Sequence, residues 1–425
     1  MDEAEHINPI VALPGGHHNL GASRNWHFLI VPVWVLNGLS YVTLLCVTGQ
    51  WRRLIPTSWT VFPEAWESLL TFARFQIPPD SAFHPYDALQ QLTYAGVIFL
   101  VAPLMILTGL CMSPALIARF PWYPKLFGGR QGARSLHFIG LMTLAVYTLG
   151  HLTMVVLVHF PEDISHMVLG SANPNVALAL WIASIVLIGV VLFHIWATVY
   201  TLRHQRRFQI TATAIVEPLI RFLFGRLRSR QHYTKEEISP YFRVNGYPPE
   251  SETYLKQAEA QFIEWRMVIS GLVERPLTLS LADLRAFPKQ EQITKHNCIQ
   301  GWSAVAEWGG VRMSTILDMC KPLPQARYVV FHAFPQAEYA PLTYYEILAL
   351  DEVRDSQTIL AYEMNGNPLP IPHGAPCRLR IETRTGYKMV KYLRTIELVD
   401  TFATIGEGHG GYREDQQYYD KVAAM

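Results

Sequence analysis

Charge is scarce in this 425-residue chain: 16% of its residues are Asp, Glu, Lys or Arg, against 50% hydrophobic. The 35 basic and 34 acidic side chains nearly cancel, leaving a formal charge of +1, so no global field argues for a nucleic-acid partner. The five cysteines lie far apart with no CxxC pair, which argues against a disulfide framework and a structural zinc site. There is no GxGxxG and no P-loop lysine motif, so no dinucleotide or nucleotide signature is present. Residues 1–26 are polar and lack a cationic start followed by a short apolar core, so no secretory signal is expected. Neither an internal repeat nor a low-complexity tract occurs.

What the chain does have is long apolar runs. Four, at about 27–48, 89–111, 136–159 and 176–200, contain no Lys, Arg, Asp or Glu in their interiors. Each is long enough to cross a bilayer, which takes about 20 apolar residues. Basic residues set the expected orientation. Arg119, Lys125, Arg130 and Arg134 follow the second run, and Arg203, Arg206, Arg207, Arg221, Arg226, Arg228 and Arg230 follow the fourth. The third connection carries Glu162 and Asp163 instead. A multi-pass protein of a bacterial inner (plasma) membrane is expected, with the C-terminal half in the cytoplasm.

Histidines mark these runs. An ionisable side chain at membrane depth is a functional hypothesis by default. His27 opens the first run, His84 precedes the second, His137 and His151 lie on the third, and His194 lies on the fourth. His137 and His151 are 14 residues apart, just under four turns, so they share a helix face about 21 Å apart along the axis. Two haems stacked across a bilayer need that spacing. Depth matching pairs His27 with His137 on the inner side and His84 with His151 on the outer side. His159 is the alternative outer ligand, and His194 a residue of the surrounding shell or of a quinone site. Polar core histidines bonded to backbone are the bland alternative.

The run Arg24 to His27, the His84-Pro85-Tyr86 entry, Leu89 to Pro114 and Arg134-Ser135-Leu136-His137 with His151 together resemble the di-haem cytochrome b subunits of formate dehydrogenase, thiosulfate reductase and nickel-iron hydrogenase. The resemblance implies two b haems and exchange with quinone or quinol at one membrane face. After it, residues 201–232 are basic with interspersed Phe208, Ile210, Ile215, Leu219 and Phe222. An amphipathic helix on the anionic leaflet and a solvated linker both fit.

From residue 262 the pattern turns to short alternating runs bounded by turns, such as Arg266 to Ser270, Tyr328 to Ala333, Thr358 to Glu363 and Cys377 to Glu382. Helical stretches at 280–286 and 313–319 intervene. The fold class expected is an all-α membrane four-helix bundle followed by an α+β, strand-rich domain. Within His296-Asn297-Cys298-Ile299-Gln300-Gly301-Trp302-Ser303, Cys298 is a candidate soft thiolate ligand, although a lone cysteine is more often a small buried hydrophobe.

Residues 358–398, with the hairpin, His373-Gly374-Ala375-Pro376-Cys377-Arg378 and Gly386 to Lys391, closely resemble the closing motif of the sulfite oxidase family. Residues 262–279 are similar to its opening strand, and Asn245 matches its first cofactor contact. The resemblance implies the sulfite-oxidase fold and a molybdenum-molybdopterin cofactor. It makes Cys298 the molybdenum thiolate and catalytic centre, with Asn245, Gln300, His373, Arg378, Lys388, Met389 and Lys391 as cofactor contacts. Lys388, Lys391 and the backbone at Met389 would form the phosphate cradle. Sulfite oxidases follow the ligand with Ala-Gly-Asn-Arg-Arg; here Ile299-Gln300-Gly301-Trp302 follows instead. The Cys-x-x-x-Trp-Ser pattern resembles the catalytic subunit of bacterial methionine sulfoxide reductase, with Gln300 where that family has Glu.

The domains expected are 1–26, 27–200 for the cytochrome, 201–240 for the linker and 241–425 for the molybdopterin domain. The expected activity is a membrane molybdenum oxidoreductase that passes electrons between the quinone pool, b haems and molybdopterin and reduces a small S-oxide or N-oxide. The partners implied are the lipid bilayer, the quinone pool and the oxide substrate, and a homo-oligomer would fit. A quinone-linked sulfite dehydrogenase and a haem redox sensor with a metal-free C-terminal domain are the alternatives.

Overall fold

The structure is a computed structural model that describes residues 20–74, 76, 86–157, 160–170, 175–224, 232–299, 302–337 and 343–417. His84, His159 and Gln300 lie outside these residues. The chain divides into two units. Trp26–Ser113 with Tyr123–His204 make one, and Gln205–Met425, with two short earlier segments, the other.

The first unit is helical. In chain order its helices are α1 (Leu20–Thr48), α2 (Val61–Ala73), α3 (Ala88–Gly96), α4 (Ala102–Cys111), then, after the short α5 (Pro114–Arg119), α6 (Gly129–Leu157), α7 (Glu162–Leu169) and α8 (Val176–Arg203). One π-helical turn, Val97–Val101, joins α3 to α4, so the two run as a single rod. Gly21–Thr48, Ala88–Cys111, Gly129–Val156 and Val176–Arg203 are each long and apolar enough to cross a membrane. α6 starts earlier than the apolar run predicts, because Arg130 and Arg134 form its first turns rather than a loop.

The outward faces are apolar: Leu36, Leu44, Val146, Leu149, Leu187 and Leu192 are all more than half exposed. Helices apolar all round suit lipid, where every backbone polar group must be paired within the helix. Hydroxyls obey the same rule. Ser40, Thr43, Thr93, Thr143 and Thr153 each donate to the carbonyl four residues back. The Asp87 carboxylate accepts from the Leu89 and Gln90 N–H groups, and Gln90 returns a bond to the Asp87 N–H, which closes the N-terminus of α3. Trp26 Nε1 donates to Thr201 Oγ1 at 3.1 Å, which places the start of α1 beside the end of α8.

The second unit begins with α9 (Gln205–Phe224), so much of the expected linker is a 20-residue helix. There follow α10 (Glu252–Glu259), β1 (Arg266–Gly271), β2 (Leu277–Ser280), α11 (Leu281–Ala286), β3 (Lys289–Asn297), β4 (Ser303–Arg312) and α12 (Met313–Cys320). Then come β5 (Tyr328–Ala333), β6 (Tyr345–Ala349), α13 (Leu350–Val353), β7 (Thr358–Met364), β8 (Asn367–Pro368), β9 (Arg378–Ile381), β10 (Leu393–Val399) and α14 (Tyr412–Gln417). Arg206 of α9 donates to the Glu414 carbonyl of α14 at 2.7 Å.

Two five-stranded sheets carry the fold. One runs β2-β1-β10-β5-β6, parallel only between β1 and β10. The other runs β3-β4-β7-β8, with β9 also paired to β7. Trp265, Met267, Ile269, Leu284, Val311, Met313, Phe331, Leu360, Leu379, Ile396 and Leu398 form the main core. Each contributes about 1.5–3 kcal/mol on burial. The second sheet holds the site. Its β3–β4 hairpin pairs Lys289 with Val311 through to Asn297 with Ser303, which leaves Cys298 at the tip. There the Cys298 N–H donates to the Trp302 carbonyl at 3.0 Å.

Trp265 is wholly buried and its Nε1 donates to the Leu393 carbonyl at 3.0 Å. Trp265→Ala should therefore destabilise the C-terminal unit by about 3–5 kcal/mol, read as a lower denaturant midpoint in near-ultraviolet circular dichroism with the haem absorbance unmoved.

Candidate haem and molybdopterin sites

In the membrane unit the structure brings His27 and His137 together, with ring centroids 6.5 Å apart and planes at 74°. Two metal–imidazole bonds of about 2 Å each fit in that gap. The Thr108 hydroxyl donates to the Leu104 carbonyl at 2.6 Å, so at 3.0 Å it accepts from His137 Nδ1. That fixes the Nδ1–H tautomer and leaves the Nε2 lone pair for a metal. Gly109 packs beside the ring, where a Cβ would meet His137 Cε1 at 3.4 Å, an ordinary contact. These residues fit a haem iron.

His151 stacks on Tyr147 at 5.7 Å and meets the Tyr94 edge at 6.1 Å. Its expected partners, His84 and His159, are outside the described residues. His194 is exposed on α8, between the outward-facing Phe193 and Ile195.

In the C-terminal unit, Cys298 is 3% exposed and belongs to an apolar cluster with Phe242, Trp302, Trp308, Ile359 and Leu369. Phe242 is the hub: its ring lies 5.5 Å from His296, 5.9 Å from Trp302, 5.6 Å from Trp308 and 5.4 Å from His373. Behind this cluster β9 points Arg378 and Arg380 toward Trp308, with guanidinium carbons 5.0 and 4.3 Å from its ring. Arg380 is answered by Glu382, which accepts from its Nε at 2.9 Å and Nη2 at 2.7 Å. Arg378 forms no ion pair among the described residues. It donates to the His373 carbonyl at 2.9 Å, and its buried Nε has no partner.

Lys391 Nζ donates to the Asn245 carbonyl at 2.6 Å and to the Pro372 carbonyl at 3.1 Å. Gly374, at φ +114°, allows this approach, because a Cβ there would press on Lys391 and Arg378. The expected contacts Asn245, His373, Arg378 and Lys391 thus converge. Their electrostatics are one-sided. Burial and repulsion from Arg380 push Arg378 down to about 9. Burial, Arg378 and Lys391 push His373 down to about 4, so it is neutral. A buried guanidinium with an idle N–H and no carboxylate is what an anionic phosphate would complete. The residues present fit molybdopterin.

Two expected contacts already have partners within the protein. Lys388 is 2% exposed and committed to Glu346 at 2.7 Å, to Glu414, and to the Gly410 carbonyl at 3.0 Å. Burial opposes its charge, yet the two carboxylates hold its pKa above the ordinary range. It cannot reach a phosphate without stranding both. The Met389 N–H donates to Gly386, and its carbonyl faces Arg378, so that backbone is spent inside the protein. Residues that sequence reasoning missed are His296, Arg380, Glu382, Phe242 and Trp308. Of these only His296 carried a signal, as a histidine two residues before Cys298.

Residues 254–404 match the family described as oxidoreductase molybdopterin binding domain, and residues 4–170 match prokaryotic cytochrome b561. With the four membrane-length helices these matches describe a chain with a cytochrome b561-like membrane half and a molybdopterin-binding oxidoreductase-like half. Among curated proteins the chain is similar to the putative protein-methionine-sulfoxide reductase subunit YedZ1 of Azospira oryzae, 31% identical over 44% of this chain and 64% of that one. It is also similar to the protein-methionine-sulfoxide reductase catalytic subunit MsrP of Campylobacter jejuni, 34% identical over 31% of this chain and 48% of that one. The chain thus spans 64% and 48% of the lengths of these relatives. Among solved structures, the sulfane dehydrogenase SoxCD of Paracoccus pantotrophus is 23% identical over 36% of this chain and 40% of that one, a loose likeness with a TM-score of 0.31.

The two lysines should part under mutation. Lys388→Met should cost about 3–5 kcal/mol of domain stability, because it leaves two buried carboxylates unpaired. Lys391→Met should leave the denaturation midpoint within about 1 kcal/mol and lower the molybdenum content; equal midpoints for the two would contradict the assignment. Acid should also act through His373. Its folded pKa of about 4 lies below the ordinary 6.5, so the unfolded chain binds the extra proton in that window. The associated stability is full above pH 6.5 and lost as pH falls toward 4, and His373→Asn should flatten that slope in thermal melts.

Proposed function

We propose that the protein takes electrons from the quinol pool and reduces a small S-oxide, with methionine sulfoxide as the first substrate to try. Molybdopterin, when bound, supplies two-electron oxygen-atom exchange, and the haems supply one-electron transfer. Cys298 holds the metal as its thiolate. Arg378 and Lys391 provide positive charge for the phosphate end, while Asn245 and the neutral His373 line the same pocket and Gln300 lies next to the thiolate in sequence. Phe242, Trp302 and Trp308 exclude water around Cys298.

In the membrane, His27 and His137 hold the inner haem. His151 holds an outer one with His84 or His159. Basic residues after the second and fourth spans support a cytoplasmic side for the C-terminal domain, residues 241–425, at an inner membrane.

The observation that carries this function is Arg378, a buried cation without a carboxylate close to the Cys298 cluster. Sulfoxide rather than sulfite is favoured by the names of the two curated relatives. It is favoured too by the absence of arginines just after Cys298.

In detergent-purified protein, Cys298→Ala should abolish quinol-driven methionine sulfoxide reduction and keep the haem spectrum. Surviving turnover, or wild-type protein that oxidises sulfite and ignores sulfoxide, would overturn the proposal. His137→Ala and His151→Ala should each remove one haem per chain by pyridine haemochrome assay; unchanged content in both would refute the ligand pairs.

A further inference from the structure

We infer that His296 is a further contact of the molybdopterin, a neutral Nε2–H donor whose tautomer Arg380 imposes; the inference rests on Cys298 being the metal thiolate. A guanidinium carries donors only. The 3.0 Å contact between Arg380 Nη1 and His296 Nδ1 therefore makes Nδ1 the acceptor and puts the ring proton on Nε2. Arg380 cannot turn away. Glu382 grips it through both oxygens, and Thr294 Oγ1 accepts from its Nη2 at 3.3 Å. Gln292 Nε2 donates to Glu382 Oε1 at 3.2 Å, so the relay is anchored in turn.

At the far end of this relay, His296 is 1% exposed and its Nε2 has no partner. Phe242 and Trp302 flank the ring at 5.5 and 5.4 Å, and Gly386 lies against its Nε2 edge, where a Cβ would collide. None of these supplies an acceptor. A buried donor left idle opposes folding, and here four polar side chains orient one. The missing acceptor belongs to a bound group. His296 and Cys298 are two residues apart along β3 and its end, a separation of about 7 Å on one face of an extended strand. Arg378 Nε and Trp308 Nε1 are further idle donors around the same cluster. Molybdopterin offers sulfur, nitrogen and oxygen acceptors, and a neutral donor can bond them without adding to the charge that Arg378 and Lys391 already supply.

The test uses full-length protein in detergent, with molybdenum measured per haem so that the membrane unit reports folding. His296→Leu should lower the molybdenum-to-haem ratio retained on dialysis, with affinity down about tenfold for one lost hydrogen bond. It should also alter the paramagnetic molybdenum signal. His296→Gln, whose amide nitrogen can reach the same place, should restore both. Should the leucine variant not fold, as judged by near-ultraviolet circular dichroism, His296→Phe keeps the ring and lacks the donor, and the same loss is expected. A wild-type ratio and signal in the leucine or phenylalanine variant would overturn the inference, as would equal loss in His296→Gln. Wild-type protein without molybdenum would instead remove the function on which the inference stands.

Discussion

A guanidinium taken out of water is tolerated only when something negative accompanies it. β9 buries two, Arg378 and Arg380, on one face of the same short strand and across one tryptophan ring. Glu382 pairs directly with Arg380, and among the described residues no carboxylate pairs directly with Arg378. The arrangement around them follows from that imbalance. Gln292 and Thr294 turn inward from β3 to serve the Arg380–Glu382 pair, Gly374 lets Lys391 come close, and His373 gives up its proton. A domain built for stability alone would replace such a cluster with hydrophobic residues. Its retention makes sense for a domain whose last component is an anion.

The membrane unit meets a related constraint by different means. Lipid offers no partner to a polar atom, so hydroxyls fold back on carbonyls and histidines gather with each other or against aromatic rings. Thr108 does two jobs at once: it satisfies the Leu104 carbonyl and, through its lone pair, fixes which nitrogen of His137 faces outward. The same device recurs in the C-terminal unit, where a donor-only Arg380 dictates the tautomer of His296. In both units the protein sets the protonation of an imbedded imidazole by choosing a neighbour whose own hydrogen-bonding role admits one answer.

Much of this was legible in the chain. Hydropathy placed four spans, and Tyr328–Ala333 is a strand buried on both faces, with Val329 and Phe331 in the main core and Val330 in a second cluster. Cys298, Arg378, His373, Asn245 and Lys391 were reachable through motif order. β3 shows where alternation misleads. Its buried positions Gln292, Thr294 and His296 are polar, so a pattern reader would turn that face to solvent. The reason is tertiary: the facing strand β9 is polar as well, and the two satisfy each other. Lys388 misleads in the same way. It stands three residues from Lys391 in one motif, yet the 3-10 turn Gly386–Lys388 sends it into the Glu346–Glu414 pair instead.

Sequence by itself determined the membrane half and the change to a strand-rich domain, and it singled out Cys298 as the candidate thiolate, because these depend on local composition and on residues close in the chain. Tertiary structure alone decided which cations are free and which are neutralised. Lys388 meets Glu346 of β6 and Glu414 of α14, carboxylates far along the chain, and no local pattern encodes that meeting; Arg380 pairs with Glu382 two residues on, and Arg378 with no carboxylate among the described residues.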